Sequence, residues 1–452
     1  MSIAARFAAH AIGARFDDLP PAAVERAKVF ILDSFGVGIA GSSVTHGDAL
    51  CGIAARWGDR AEARVWGRAT RLPAAGAAFV NAWQMHNQEF DCLHEGAVVH
   101  AMASVLPAAL AVAETRGPIS GRDLIVAVAV GCDIAATLGL AASAGMRFFR
   151  PATAGGFGAV AAAGRVLGLD QAALERAFAF QLAQASGTMQ PHLEGSAILP
   201  MQVALNARAA LTACELATLD LVPSRHVFEG PFGYLALFES AWEIGPLLDE
   251  LGRRWRIAEF SHKPYPAGRA THGGIEGATV LRTEGGFEPT DIEDVCISAP
   301  PLIVRLVGRP DLPAPEPSYA RLCMAYVVAK ALQHGALDFT HFRGVALTDP
   351  ATHLLAARVR TESDGNPDPN ALAPQTVSVR LTDGTALTWR CVSMLASPSR
   401  PLDRAAHLDK FRRCWQFAAE PLPPDNRERL IGVADRLETV GDVRELTRLL
   451  AA

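Results

Sequence analysis

The chain reads as mainly α with a smaller α+β domain: a discontinuous all-helical domain built from both chain ends, carrying an α+β lid. Three observations predict this. From about residue 3 to 260 the sequence is rich in Ala and Leu, with apolar residues at helical spacing. After Lys263, short runs of alternating β-branched residues appear, and beyond residue 395 the helical pattern returns. The expected boundaries are 1–262 for the first helical part, 263–395 for the lid and 396–452 for helices that pack back on the first part. A length of 452 residues suits this division, because domains usually hold about 100–200 residues.

The first long helix shows the logic. In "PPAAVERAKVFILDSFGVGIAGSS" prolines open the segment, Val24, Ala27, Phe30, Ile31 and Phe35 supply apolar positions, and glycines close it. Similar helices are predicted at about 72–84, 100–115, 121–141, 152–167, 171–187, 199–217 and 246–252. Small residues, as in "GAVAAAGRVLG", let such helices approach closely. In the lid, "EDVCISA", "AARVRTES" and "QTVSVRLTDGTALTWRCV" alternate as strands, with Asp383-Gly384 as a turn signal inside the last. "SYARLCMAYVVAKALQHG" and "DPATHLLAA" read as helices between them, and "HLDKFRRCWQFAAE" and "NRERLIGVADRLETVGDVRELTRLLAA" as the returning helices.

Composition removes several function classes. A net charge of −5 without any Lys/Arg run argues against nucleic acid as a partner. Apolar runs such as Leu124–Val130 and Phe157–Leu169 are too short, or too broken by Gly and Arg, for the roughly 20 residues a membrane span requires. No membrane association is therefore expected, and the N-terminus lacks the unbroken apolar region of a signal peptide, which points to the cytoplasm. The cysteines at 51, 92, 132, 214, 296, 323, 391 and 414 form no CxxC pair, so neither a metal site nor a disulfide framework is expected. A small metabolite is the expected partner.

Three segments carry candidate chemistry. "NAWQMHNQEFDCLHEGAVVH" sets His86, Glu89, Asp91, His94 and His100 in a loop that runs into a helix, whose N-terminus would favour an anion. The plainer reading is that Glu89 and Asp91 cap this helix and the histidines are solvated. "SHKPYPAGRATHGG" places Lys263, Tyr265, Arg269 and His272 at the domain junction, where a cleft would let Lys263 and Arg269 hold carboxylates; the alternative is a charged linker. "MRFFRPATAGGFGAV" resembles a dinucleotide loop only superficially, since its spacing is GGxG and no strand precedes it. It reads better as a helix start with Arg147 or Arg150 able to face an anion. His192, His226, His334 and His353 read as core or surface residues.

The order and spacing of these segments resemble the MmgE/PrpD family over almost the whole chain. "RAKVFILDSFGVGIAGSS", "NAWQMHNQEFDCLHEGAVVHAMASVLPAALAVAE", "RFFRPATAGGFGAVAAAGRVLGLD", "KPYPAGRATHGGIEGA" and "PSYARLCMAYVVAKAL" are similar to family blocks in family order, and "PLDRAAHLDKFRRC" is similar to the family's ending. The resemblance implies a helical domain with an α+β lid, a homodimer, and no metal or organic cofactor. It also implies proton removal or addition beside a carboxylate of a small di- or tricarboxylate. His86, Asp91, His100 and Lys263 match family positions, Glu89 stands where Asp is usual, and Tyr326 matches an aromatic that lines the cavity. His100, Asp91 and Lys263 are thereby the expected catalytic residues, and His86, Glu89, Arg150, Arg269, His272 and Tyr326 the expected substrate ligands. Three positions depart from the pattern: Arg150 and Gly268 stand where His is implied, and Leu199 where Lys is. The leading expectation is a cofactor-independent lyase of the hydro-lyase type. An epimerase or isomerase, or a non-catalytic carboxylate-binding homologue, is the alternative.

Overall fold

The helical spacing of the first half becomes a packed bundle in the computed structural model, which describes residues 1–452. Its main helices are α1 (Pro21–Gly41), α2 (Ala74–His86), α3 (Met102–Arg116), α4 (Gly121–Leu140), α5 (Arg150–Leu167) and α6 (Leu199–Leu216). Helix α5 is the centre of the bundle and packs against α3, α4 and α6, while α2 bridges α1, α3 and α6. Its glycines permit this. A β-carbon on Gly158 would overlap the carbonyl oxygen of Gly131 in α4, so the two backbones touch where both side chains are absent. Gly158→Ala should therefore cost about 1–3 kcal/mol in a denaturant titration, the usual penalty for overpacking a rigid contact. An unchanged midpoint would mean that the helices are not held this close.

Helix α4 corrects one sequence expectation. It is long and apolar enough to cross a membrane by length and composition, but 89% of its most apolar window is buried within the protein. Its apolar residues instead contribute to a core that also reaches the smaller unit.

That smaller unit contains α7 (His272–Gly285), β1 (Ile292–Ala299), α8 (Pro301–Val307), α9 (Met324–His334), β2 (Val359–Ser363), β3 (Gln375–Leu381) and β4 (Ala386–Cys391). The sheet order is β2-β1-β3-β4, with β2 parallel to β1 and the other pairs antiparallel. Alternation along β3 turns Val377 and Val379 inward, and α7 packs on this strand. The β3–β4 hairpin turns at Asp383-Gly384, where Gly384 has φ +90°, a conformation that glycine adopts at little cost. Helix α10 (Arg404–Trp415) then returns to lie along α1, joining the chain's end to its beginning. The C-terminus of α2, the start of α3 and the segment leading into α7 meet at the boundary of the two units.

Candidate active site

Helix α2 ends at His86, and the chain turns sharply through Glu89, whose φ of 50° is unusual for a residue with a side chain. Such strain persists where surrounding contacts enforce it, and here they are identifiable. His94 and Val99 pair across the loop, while Leu93 pairs with Ser261 through bonds of 3.1 and 2.8 Å. The second bridge delivers Lys263, two residues on, beside Glu89. Its Nζ donates to Glu89 Oε2 at 2.8 Å and lies 3.6 Å from Asp91 Oδ1.

Asp91 is the hub. Its Oδ2 lies 2.9 Å from His86 Nδ1 and 3.0 Å from His100 Nδ1, and the two imidazoles meet edge to face with centroids 4.9 Å apart. All five residues are buried, so the expectation of helix-capping acids and solvated histidines does not hold. A carboxylate that accepts from both Nδ1 atoms leaves each Nε2 as the chemically free nitrogen.

The electrostatics separate the two histidines. Burial opposes the charged form of Asp91, but His100, His86 and Lys263 outweigh it and hold the carboxyl well below its usual range. Glu89 is likewise brought down to about 2, because Lys263 and the histidines overcome its burial. Burial would lower His86, yet the charge and hydrogen bond of Asp91, helped by Glu89, raise it above its ordinary value. For His100 burial prevails, with Lys263 and His86 adding to it, and the imidazole falls below its ordinary value despite Asp91. One histidine is biased toward imidazolium and its neighbour toward free base.

Both histidines and Glu89 line a cavity whose empty volume, including the mouth, is about 510 Å³. Met146, Phe149, Leu306, Val307, Leu322 and Leu372 contribute large apolar side chains to the remaining wall. Sequence reasoning missed His192, which also lines it. That residue is buried, its Nδ1 has no hydrogen-bond partner, and burial pushes it down to about 3, so it is neutral near pH 7. It sits in a short helix, Gln190–Glu194, and nothing in "MQPHLEG" marks it as special.

Four expected substrate ligands are engaged elsewhere. Arg150 starts α5 but is closed on Glu239 at 2.8 and 3.0 Å, with Asn370 Oδ1 at 3.3 Å and the Ala144 carbonyl at 3.2 Å. Arg269 lines the cavity but gives Nε and Nη2 to Glu95, and Nη1 to the carbonyls of His262 and Leu395. His272 accepts from Arg269 at Nδ1 and lies 3.0 Å from the Ala267 carbonyl through Nε2. Tyr326 in α9 turns its hydroxyl toward the carbonyls of His341 and Ala346 and is not part of the wall. These groups hold loops together around the site, a role that residue type alone does not reveal.

The chain matches the model of the MmgE/PrpD N-terminal domain over residues 5–246 and that of the MmgE/PrpD C-terminal domain over residues 265–438. It belongs to the MmgE/PrpD family. Its relatives include the cis-aconitate decarboxylases of Mus musculus and Homo sapiens, each 29% identical over 99% of this chain and covered over 93% and 94% of their own lengths. The cis-aconitate decarboxylase of Aspergillus terreus is 25% identical over 95% of the chain, with 92% of its own length covered. In this MmgE/PrpD member, the structure accounts for the residues at the three positions where the resemblance implied others. Leu199 is a buried core residue, Arg150 is neutralised by Glu239, and a β-carbon on Gly268 would stand 2.6 Å from Leu322 Cδ2. A histidine at position 268 would have to displace Leu322.

Proposed function

We propose that this protein is a lyase that abstracts a proton from the carbon beside a substrate carboxylate, using His100 as base and His86 as acid. The carrying observation is the pair of imidazoles on one Asp91 oxygen, 2.9 and 3.0 Å away, with opposite biases in protonation. Two neighbouring groups whose environments drive their pKa values apart are suited to opposite halves of an acid–base reaction. Asp91 fixes the tautomer of both. Lys263 is fully buried beneath Glu89, where it is the main group holding Glu89 charged and adds to the effect of His100 and His86 on Asp91. Family membership, and relatives named as decarboxylases, support a lyase over other enzyme classes.

In the hydro-lyase form of this reading, His100 Nε2 takes the proton and the electron pair forms the carbon–carbon double bond. The β-hydroxyl leaves as water with a proton from His86. If His86 instead returns its proton to the same carbon from the other side, the reaction is an epimerisation. Incubation of candidate carboxylates in D2O separates these. A new alkene signal by NMR supports the lyase, deuterium uptake with inversion and no alkene replaces it with the isomerase, and silence across the panel leaves a binding protein.

The pH dependence follows from the same assignment. The base must be neutral and the acid protonated, so kcat/KM should be bell-shaped. Its acid limb should lie below the ordinary histidine value of 6.5, set by His100, and its alkaline limb above 6.5, set by His86. A profile with both limbs on the same side of 6.5 would reverse or remove the assignment.

A further inference from the structure

The charge inventory of the cavity bears on which carboxylates it can take. A di- or tricarboxylate requires several cations or free donors facing the ligand, because each desolvated anionic group needs its own partner. This wall offers few. Arg269 has committed its donors to Glu95, His262 and Leu395, and Lys263 is sealed beneath Glu89. Arg305 and Arg309 come from the small unit toward the same region and are not part of the wall; Arg305 Nη2 donates to the Met146 carbonyl and Arg309 Nη2 to the His192 and Leu306 carbonyls, while Arg309 Nε and Nη1 are buried behind the wall without a partner.

Glu89 itself is an anion in the wall and takes up the ammonium of Lys263, which is then not available to a ligand. Two of the polar groups that remain stand side by side. His86 Nε2 is buried without a hydrogen-bond partner, and the cavity face of His100 lies beside it. His192, the remaining imidazole, is kept neutral. The apolar wall includes Met146, Leu306, Val307, Leu322 and Leu372, together with Phe149, whose ring centroid is 5.7 Å from that of His86. Apolar walls of this kind favour hydrocarbon and repel unpaired charge.

We propose that the cavity takes a monocarboxylate bearing an apolar substituent of several carbons, with its carboxylate at the His86–His100 end and its chain against the apolar wall. This rests on the reading of the same cavity as the substrate site, and it narrows the substrate class from polycarboxylates to amphipathic monoanions. Gly268 and Leu322 act together here, since the absent side chain at 268 is what leaves room for Leu322.

The test uses saturated ligands that cannot eliminate water, so it reads binding and not turnover. Hexanoate and propane-1,2,3-tricarboxylate are titrated into the full-length protein by calorimetry at equal ionic strength. Hexanoate should bind at least tenfold more tightly. Equal affinity, preference for the tricarboxylate, or no heat from either would overturn the proposal. Leu306→Arg places a cation in the wall and should narrow or reverse the preference. If that variant does not fold, Leu372→Ala should weaken hexanoate about fivefold while leaving the tricarboxylate unchanged, and equal weakening of both would count against the proposal. Neither ligand can react, so this titration is independent of the turnover and pH measurements that test the acid–base assignment. A failed acid–base assignment and a failed substrate class thus give different results.

Discussion

Asp91→Asn should lower kcat by on the order of 10³–10⁴-fold, the effect expected when a histidine loses the carboxylate that sets its tautomer. The loss should be large because one oxygen serves two imidazoles. An amide can present its NH2 group to Nδ1, which forces the proton to Nε2 and leaves His100 without a basic nitrogen in the cavity. The same substitution removes the main attraction that raises His86, so that residue should titrate at lower pH than in the wild type. His100 should also stay neutral to lower pH, since Asp91 is the partner that opposes its burial. Ring-proton NMR across pH 4–9 reads both shifts without any substrate. Unchanged histidine titrations, or turnover within tenfold of wild type, would refute the role given to Asp91.

How much of this could be read beforehand depended on what each signal measures. Apolar spacing marked α1 and the strands because burial on one face is a local property repeated along the segment. The Asp383-Gly384 turn was legible because only a few residue types adopt its backbone conformation, and Gly384 has the expected positive φ. His86, Asp91 and His100 were identifiable as a group because they lie within one loop and its flanking helices. The partners of Arg150, Arg269 and Tyr326 were not legible, since Glu239, Glu95 and the His341 carbonyl are distant in the chain or belong to the backbone. His192 was invisible for the opposite reason: its place in the wall comes entirely from the fold around it. Helix α4 shows the same limit, because length and hydropathy are equally satisfied by a membrane and by a protein core.

The returning helix α10 provides the second large effect, and it reaches the candidate active site from behind. Lys410 is buried and donates to Asp33 Oδ1 in α1 at 2.8 Å and to the Phe90 carbonyl at 2.9 Å, while its ammonium sits 4.0 Å from the centroid of the Phe90 ring. Phe90 lies between Glu89 and Asp91, so this contact ties the loop that carries both carboxylates to both chain ends. Lys410→Met should cost about 3–5 kcal/mol, because it leaves a buried carboxylate without its cation. No other charged group can readily replace Lys410. His262 and His407 place ring nitrogens within 4.8 Å of an Asp33 oxygen, but burial takes His262 well below its ordinary value and His407 down to about 3. Arg26 is more remote, and Asp91 adds repulsion. Asp33 is already raised by burial in the wild type, and loss of Lys410 should raise it further, so that the native state of the variant holds a proton which the unfolded chain releases. The destabilisation should consequently grow as pH rises from 5 to 8. Urea titrations of both proteins at the two pH values provide the measurement. A pH-independent loss below about 1 kcal/mol would show that the pair contributes little, as exposed pairs do. Turnover should fall as well, because the Phe90 carbonyl loses its donor and the strained backbone at Glu89 loses one of the contacts that hold it.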